Sequence, residues 1–402
     1  MTTQNAKIIE EMESEIYMDK NNNTKRVPLI LITGYLGSGK TTLLNELLSQ
    51  DKRKIALIVN DMGSINIDAK LLGQRNVQQM DTKMVELSNG CICCTLRDEF
   101  MNQVEEISKD KDVEAVFVEA SGISDPASIA EGFIAYKEVR TDSRVYLSSI
   151  VTVVDADRIN REFLAGLKEA EDAQSDETDD DDADIINLVM DQIEFCNKII
   201  LNKCDLVSKD ELDEIKGVIH KLQPKAEIIQ SVMGKVDIKL IINAGEFDYD
   251  SVLGSSMIQR ALDSRNSKGK MDSKEGCTDE YGVSSFVYEE KRPFNYDKLM
   301  SFISDDYPET IIRAKGYIWF AEDYIHVQLF EQAGRNASVT ELSNWVAAFP
   351  KEDRQEVFDN YPEVLESWDD KYGDRSNQIV FIGKDYDQDE IINKLNQCIE
   401  GN

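Results

Sequence analysis

A glycine-rich segment directly follows the first apolar run of the chain, VPLILIT at 27–33. The segment consists of Gly34, Tyr35, Leu36, Gly37, Ser38, Gly39, Lys40, Thr41 and Thr42. It fits the pattern G-x-x-x-x-G-K-[ST] after a predicted strand and at the start of a predicted helix. Glycines let backbone N–H groups turn toward phosphates, and a helix N-terminus adds partial positive charge. The pattern therefore predicts a P-loop that binds a nucleotide, with Lys40 on the β- and γ-phosphates and Thr41 on Mg²⁺.

Further apolar runs follow the first one, separated by stretches with helical character. They are KIALIVN, VEAVFVEA, SSIVTVVDA, KIILN and AEIIQS. Continuous apolar strands that alternate with helices are typical of a parallel sheet covered on both faces. We predict a P-loop NTPase domain over residues 26–245, of the α/β class, with a doubly wound and mostly parallel sheet.

The rest of the chain predicts a smaller α+β domain over residues 281–402, joined to the first by a linker over 246–280. Within the smaller domain, VSSFVYE, TIIRAKGYIWF and YIHVQLF are predicted strands, and the turn at 321–323 indicates a hairpin. A closing helix is predicted from an apolar stripe formed by Ile391, Ile392, Leu395 and Ile399.

Two polar segments are predicted to lie outside the folded domains. Residues 1–25 form a polar leader, and residues 166–186 form an acidic insertion in the first domain. Such a dense acidic run buries too little apolar area to fold alone, so we expect a solvated loop. Carboxylates of this kind also suit hard cations, which is the second interpretation of the insertion.

Charge and cysteine usage exclude several functions. The 402 residues carry a formal net charge of −32. This charge disfavours binding to nucleic acids and to anionic membrane surfaces, because both need Lys and Arg partners. No apolar run reaches the length of a membrane span, and the first residues lack the features of a signal peptide. Seven cysteines in such a chain indicate thiols or a metal site instead of a disulfide framework. We expect a cytoplasmic protein.

Two motifs downstream refine the nucleotide site. Glu119 ends a predicted strand and is followed by Gly122, which suits a carboxylate that holds Mg²⁺ or orients the attacking water. The alternative is an exposed carboxylate at a strand terminus.

Asn202, Lys203 and Asp205 form N-K-x-D after a late strand. A carboxylate at Asp205 can accept from N1–H and the exocyclic amine of guanine, whereas adenine has no N1–H, so the motif favours GTP over ATP.

Three cysteines lie between the P-loop and Glu119, in the order Cys91, Cys93 and Cys94. Thiolates are soft ligands that suit zinc or copper(I), and three ligands with one open position suit metal exchange. In P-loop GTPases this stretch reorders with the γ-phosphate, so metal and nucleotide affinities would be linked reciprocally. A redox switch through the vicinal thiols is the alternative.

These motifs resemble those of the CobW-type metallochaperone GTPases, a family with cobalamin-biosynthesis, nitrile-hydratase-activator and zinc-regulated metalloprotein-activator members. The resemblance covers nearly the whole chain. It rests on GYLGSGKTT, IVNDMGSINID, ELSNGCICCTL, EASGISDP, NKCDLV, RPF, RAKGYIWF and GDRSNQIVFIG. It implies GTP hydrolysis, a zinc-type metal on Cys91, Cys93 and Cys94, and insertion of that metal into a client protein.

The chain departs from that family pattern at several positions. Asp61 stands where relatives usually have Glu. It is a candidate for a catalytic carboxylate that links the metal to the nucleotide switch, and its side chain is one methylene shorter than that of Glu. Asn295 stands where a His often follows R-P-F, and the leader lacks the Cys-Pro docking motif of the eukaryotic zinc activators. Polar and aromatic residues of the C-terminal domain are predicted to be structural: Arg313, Lys315, Trp319, Arg335 and Arg375.

The leading hypothesis is a GTPase that binds GTP or GDP, Mg²⁺ and Zn²⁺ and delivers the metal to an unidentified client metalloprotein. The alternatives are a zinc buffer or sensor with incidental GTPase activity, and the vicinal-thiol switch. No nucleic acid or membrane partner is expected, and a homo-oligomer stays open.

Overall fold

The computed structural model describes residues 26–50, 53–61, 83–88, 97–140, 143–165, 180–242, 245–256, 283–334, 336–366 and 368–401. The chain divides into two compact units. The first falls within residues 1–157, 191–207 and 225–252, and the second within 158–190, 208–224 and 253–402. The predicted leader, residues 166–179 of the acidic insertion, the three clustered cysteines and Arg335 lie outside the described residues.

The elements are numbered along the chain. The strands are β1 (Val27–Thr33), β2 (Ile55–Asp61), β3 (Lys83–Ser88), β4 (Ala115–Glu119), β5 (Val145–Asp155), β6 (Lys198–Asn202), β7 (Glu227–Gln230), β8 (Val283–Glu290), β9 (Ile311–Phe320), β10 (Asp323–Ala333), β11 (Asn336–Asn344) and β12 (Asn377–Lys384). The helices are α1 (Lys40–Gln50), α2 (Arg97–Ser108), α3 (Pro126–Val139), α4 (Ala156–Ile159), α5 (Asp180–Glu194), α6 (Lys209–Leu222), α7 (Lys239–Ile242), α8 (Tyr249–Gly254), α9 (Tyr296–Asp305), α10 (Lys351–Asn360), α11 (Glu363–Glu366) and α12 (Gln388–Gln397).

The sheet of the first unit is parallel throughout. Within the described residues its order is β3-β2-β4-β1-β5-β6-β7. Every residue of β1, β4 and β6 is buried, as uninterrupted apolar runs require. The order reverses direction at β1, because β2, β3 and β4 lie on one side of β1 and β5, β6 and β7 lie on the other. The predicted doubly wound α/β sheet is therefore confirmed.

Helix α1 is fixed to this sheet by leucines at helical spacing. Leu43, Leu44, Leu47 and Leu48 are buried and share a core with strand residues such as Ile30 and Val153. Full burial of one such side chain contributes about 1.5–3 kcal/mol. Because α1 begins at Lys40, this packing holds the end of the glycine-rich loop in place.

Three features of the first domain differ from the sequence predictions. Strand β3, KMVELS, was not predicted, because its sequence lacks a continuous apolar run. The segment predicted to begin the linker continues the first unit instead: Phe247 donates its N–H to Leu147, and Val252 is buried in α8. The predicted acidic loop ends early, because residues 180–186 belong to α5. Acidic residues complement the partial positive charge of a helix N-terminus, which favours a helix start there.

The second unit contains an antiparallel sheet with the order β11-β10-β9-β12-β8. The predicted hairpin between β9 and β10 is confirmed, and so is the closing helix α12, which buries Ile391 and Leu395 and is followed by buried Ile399. Strand β11 was not predicted, since it is an edge strand with mostly polar, exposed residues. No helix in the described ranges is long and apolar enough to cross a membrane.

The structural roles predicted for the C-terminal polar residues are confirmed where they are described. Arg313 is fully buried and donates to Asn187 at 2.7 Å and to Glu331 at 3.3 Å. Lys315 pairs with Glu331 at 2.9 Å. Trp319 is fully buried, and Arg375 donates from Nε to the carbonyl of Tyr324 at 2.8 Å. Asn295 caps α9 by accepting the N–H of Lys298 at 3.1 Å.

Candidate functional site

The glycine-rich loop leaves β1 through backbone conformations that only glycine adopts readily. Gly34 has φ +129° and Gly39 has φ +106°. A Cβ atom on Gly34 would lie 2.3 Å from the carbonyl oxygen of Val153, and one on Gly39 would lie 2.4 Å from Nδ2 of Asn202. The two glycines are therefore required by close contacts with β5 and with the end of β6.

Lys40, the first residue of α1, is buried against this loop. Its Nζ donates to the carbonyl oxygen of Gly34 at 2.7 Å and to that of Tyr35 at 3.2 Å. These contacts place the ammonium group within the loop, and its role on the phosphates stays a prediction. Leu36, Gly37 and Thr42 are exposed, and Tyr35, Gly39 and Thr41 are half-buried.

Ser38 has a special place in the loop. Its side chain is buried, and Oγ has no hydrogen-bond partner among the described residues. A buried hydroxyl left in this way costs free energy unless a ligand or water meets it. Together with the glycine contacts and the buried ammonium of Lys40, this orphaned hydroxyl fits a loop built to close around phosphate oxygens.

Glu119 lies directly beside the loop. It ends β4, in register with Ile32 of β1, and only 2% of its surface is exposed. Its Oε1 accepts a hydrogen bond from the Thr41 hydroxyl at 3.1 Å. The alternative of an exposed carboxylate at a strand end is therefore wrong. A hydroxyl and a carboxylate in contact at the start of α1 form the oxygen pair expected for Mg²⁺.

The chain after Glu119 packs onto the glycine-rich loop. Ala120 donates its N–H to the carbonyl of Ile32 at 2.9 Å. A Cβ on Gly122 would lie 2.9 Å from the backbone nitrogen of Leu36. Glycine is thus needed where the segment 120–125, named here the Glu119 loop, crosses the P-loop.

Asn202 joins the N-K-x-D motif to the P-loop. Its buried Nδ2 donates to the carbonyl of Ser38 at 3.0 Å, and its Oδ1 accepts the N–H of Gly234 at 3.1 Å. Asn202 therefore uses both ends of its amide within the protein. The motif and the P-loop, 164 positions apart in sequence, form one site through this side chain.

Lys203 and Asp205 extend from the same turn. Lys203 adopts the left-handed conformation, with φ 59°, and its Nζ pairs with Oδ2 of Asp155 at 2.5 Å. Asp205 lies in the short 3₁₀ turn Cys204–Leu206 and is exposed, so its carboxylate is accessible to a base. The fixed backbone around Lys203 sets the direction in which this turn leaves β6.

No motif in the sequence indicated the segment that follows β7. Cys204 donates its N–H to the carbonyl of Ser231 at 3.2 Å, and Gly234 binds Asn202. Between them Val232 and Met233 are exposed apolar side chains, and Met233 has φ 55°. Exposed apolar side chains next to a residue that is bonded to the Cys204 turn suit a flat purine. The only signal in the sequence was a Ser-x-x-Gly after a short strand.

The predicted metal ligands Cys91, Cys93 and Cys94 lie outside the described residues, in the connection between β3 and α2. Asp61 ends β2, and its side chain is not among those described. In the described part of the chain, no group of three His, Cys, Asp or Glu residues could hold a metal. Cys196 is fully buried, and burial raises the pKa of its thiol to about 12, which disfavours the thiolate that a metal needs.

Comparison with known proteins gives matches over both units. The profile described as "CobW/HypB/UreG, nucleotide-binding domain" matches residues 28–230, and "Cobalamin synthesis protein cobW C-terminal domain" matches residues 283–399. The chain is 32% identical over 403 residues to "Zinc-regulated GTPase metalloprotein activator 1" of Dictyostelium discoideum, covering 96% of this chain and 83% of that protein. It is 30% identical over 226 residues to "Zinc chaperone CobW" of Pseudomonas aeruginosa, covering 54% of this chain and 60% of that protein.

One comparison with a solved structure concerns the Zn(II)-bound YjiA GTPase from E. coli. The TM-score is 0.40 at 17% sequence identity, and the alignment covers 94% of this chain and 100% of that one.

Proposed function

The chain belongs to the CobW/HypB/UreG family, and on that premise we propose that GTP hydrolysis in this protein controls the delivery of zinc to a client metalloprotein. It is a GTPase whose ligands are GTP or GDP, Mg²⁺ and Zn²⁺. The observation that carries the delivery step is the place of Cys91, Cys93 and Cys94 in the sequence. They connect β3 and α2, between the P-loop and the Glu119 loop.

The phosphate end of the site performs binding and positioning. Lys40 offers a buried ammonium to the β- and γ-phosphates, and the glycine turns direct backbone N–H groups at the same oxygens. Thr41 and Glu119 would hold Mg²⁺ through the hydroxyl and the carboxylate that now bind each other. When bound, Mg²⁺ neutralises charge that develops on the phosphate oxygens. Asp61 stays a candidate for a switch carboxylate on the strength of its sequence position.

The base end of the site selects guanine. Asp205 is exposed, so its carboxylate is accessible to N1–H and the exocyclic amine. Lys203 is held by Asp155 and Asn202 by the P-loop, which leaves Asp205 as the residue that contacts the base edge. A site that hydrogen-bonds one substrate discriminates strongly against an analogue lacking those groups, because its own polar groups are then left unpaired.

The zinc end of the site is proposed from the residue types. Three thiols within four positions supply a soft donor set with one open position, which a ligand from a client protein would complete. Relatives named as zinc chaperone and as zinc-regulated metalloprotein activator support this assignment. The client, a homo-oligomer and the cytoplasmic location stay predictions.

Replacement of Cys91, Cys93 and Cys94 together by Ala tests the zinc assignment. We expect loss of stoichiometric zinc binding and loss of any zinc-dependent change in the GTPase rate, with GDP binding retained. The matched control is Cys398→Ala, which removes a buried thiol that donates to the carbonyls of Lys298 and Lys394 in the second unit. Tight zinc binding by the triple variant would show that the metal is held elsewhere.

A further inference from the structure

We propose that Gln192 is a positioning residue for GTP hydrolysis, which it serves by holding the Glu119 loop against the P-loop. The proposal rests on the GTPase function stated above. Gln192 lies in the last turn of α5, the helix whose first turns fall in the predicted acidic insertion, and it is fully buried. No sequence motif points to this residue.

The side chain of Gln192 binds the Glu119 loop at two places. Its Nε2 donates to the carbonyl of Gly122 at 3.1 Å and to the carbonyl of Ser124 at 3.1 Å. Both partners are acceptors, so only the amide nitrogen can face them, and the orientation of the amide follows from chemistry. Its Oε1 is buried and has no hydrogen-bond partner among the described residues. The amide therefore serves the loop alone.

These two bonds act on the middle and the end of a short loop whose first residue is bonded to β1 through the Ala120 N–H. Ser124 closes a turn by donating its N–H to the carbonyl of Ser121 at 3.0 Å, and Asp125 then caps α3. Since a trans peptide is planar, a held carbonyl also fixes the direction of the following N–H group. Gln192 thus sets the orientation of two peptide units between Glu119 and α3.

The backbone of Gln192 is tied to the strand that leads into the P-loop. The Thr152 hydroxyl donates to the Gln192 carbonyl at 2.6 Å. Because its single proton is used there, it accepts from the Thr33 hydroxyl, 3.0 Å away. Thr33 is the last residue of β1, directly before Gly34. The backbone carbonyl of Gln192 is thus connected through Thr152 to the base of the P-loop, and the side chain of Gln192 binds the Glu119 loop.

This connection matters for the reaction because Gly122 contacts Leu36 of the P-loop, and Glu119 binds Thr41. A loop that loses its two anchors would keep the P-loop and Glu119 in place, because Glu119 is held in β4, while the peptides after Glu119 lose their fixed distance from the phosphates. Hydrolysis depends on that distance more than binding of the diphosphate does, since catalysis of phosphoryl transfer consists largely of positioning.

Gln192→Met tests the proposal, because it keeps length and approximate volume and removes both donors. We expect kcat to fall about ten- to hundredfold while KM for GTP and the affinity for GDP stay within about twofold. Rates are divided by the concentration of GDP-binding sites, so that unfolded protein does not count. The matched control is Ile193→Ala, which truncates the neighbouring buried side chain of α5 and removes no hydrogen bond to the loop.

A second variant covers the case in which Met is not accepted in the core. Gln192→Asn keeps the amide, shortens its reach by one methylene, and should also lower kcat with GDP affinity preserved. The proposal is overturned if both variants keep the wild-type kcat, if kcat and GDP affinity fall together, or if Ile193→Ala lowers kcat as much as Gln192→Met does. Absence of GTP hydrolysis in the wild-type protein would instead overturn the proposed function.

Discussion

Removal of the Asn202 side chain should weaken the binding of every purine nucleotide alike. Asn202 binds the carbonyl of Ser38 at 3.0 Å and the N–H of Gly234 at 3.1 Å, and both of its amide groups are therefore used within the protein. Asn202→Ala leaves those two backbone groups without their partner in a buried place. The structure thus assigns Asn202 to assembly of the site and Asp205 to recognition of the base.

The magnitude follows from the two lost bonds. A buried backbone group left unsatisfied costs about 1–3 kcal/mol, and two groups are affected, so we expect a loss of about 2–6 kcal/mol. If the loss falls on the nucleotide-bound state, it corresponds to roughly a 30- to 20,000-fold weaker affinity for GDP. Any part of this free-energy loss that falls on the nucleotide-free protein lowers its melting temperature instead. The GDP affinity and the melting temperature therefore both need to be measured.

Fluorescent nucleotide displacement with GDP and XDP, together with thermal unfolding, measures both effects. The matched control is Asp205→Asn, an exposed position whose change should leave stability unaltered and shift preference toward xanthine, which carries a second carbonyl where guanine carries the amine. The reasoning is refuted if Asn202→Ala binds GDP as well as the wild type does. It is refuted equally if Asn202→Ala changes the preference between the bases while Asp205→Asn does not.

Three further predictions concern other residues. Gly39→Ala should weaken GDP binding by at least about tenfold, because its Cβ would lie 2.4 Å from Nδ2 of Asn202; a fluorescent GDP titration checks this, and unchanged affinity would contradict it. Cys196 should resist alkylation in the folded protein at pH 8, because burial raises the pKa of its thiol to about 12. The stability that its protonated thiol contributes is complete below the unfolded pKa of about 8.5 and is lost as pH rises toward the folded value; mass spectrometry after iodoacetamide, with and without denaturant, locates the label. Asn295→Ala should lower stability by about 1 kcal/mol through loss of the cap on Lys298, with GDP affinity unchanged, as thermal unfolding with a parallel titration would show.

The sequence predicted those parts of the fold that depend on continuous apolar runs. Strands β1, β4 and β6 are buried along their whole length, so their composition alone indicates a central position in a parallel sheet. Edge strands such as β3 and β11 carry polar residues, and their membership of a sheet depends on a partner strand that the local sequence does not specify.

The candidate site was predictable where one short segment carries the chemistry. The P-loop and the N-K-x-D motif were assigned to the nucleotide from residue types and order, and the structure brings them together through Asn202. Gln192 and the segment after β7 were not predictable, because their roles arise from contacts between distant parts of the chain. A buried glutamine in a helix has no local pattern that distinguishes it from an ordinary polar helical residue.

The central claim is that the nucleotide controls how tightly zinc is held. The direct measurement is the zinc affinity of the protein loaded with a non-hydrolysable GTP analogue and Mg²⁺, compared with the affinity of the GDP-loaded protein. Linkage requires that the two affinities differ, and couplings of this kind amount to about 5- to 150-fold. A difference of that size, abolished by the triple replacement of Cys91, Cys93 and Cys94, is the predicted result. Equal zinc affinities in the two nucleotide states would contradict controlled delivery and favour a zinc buffer or sensor.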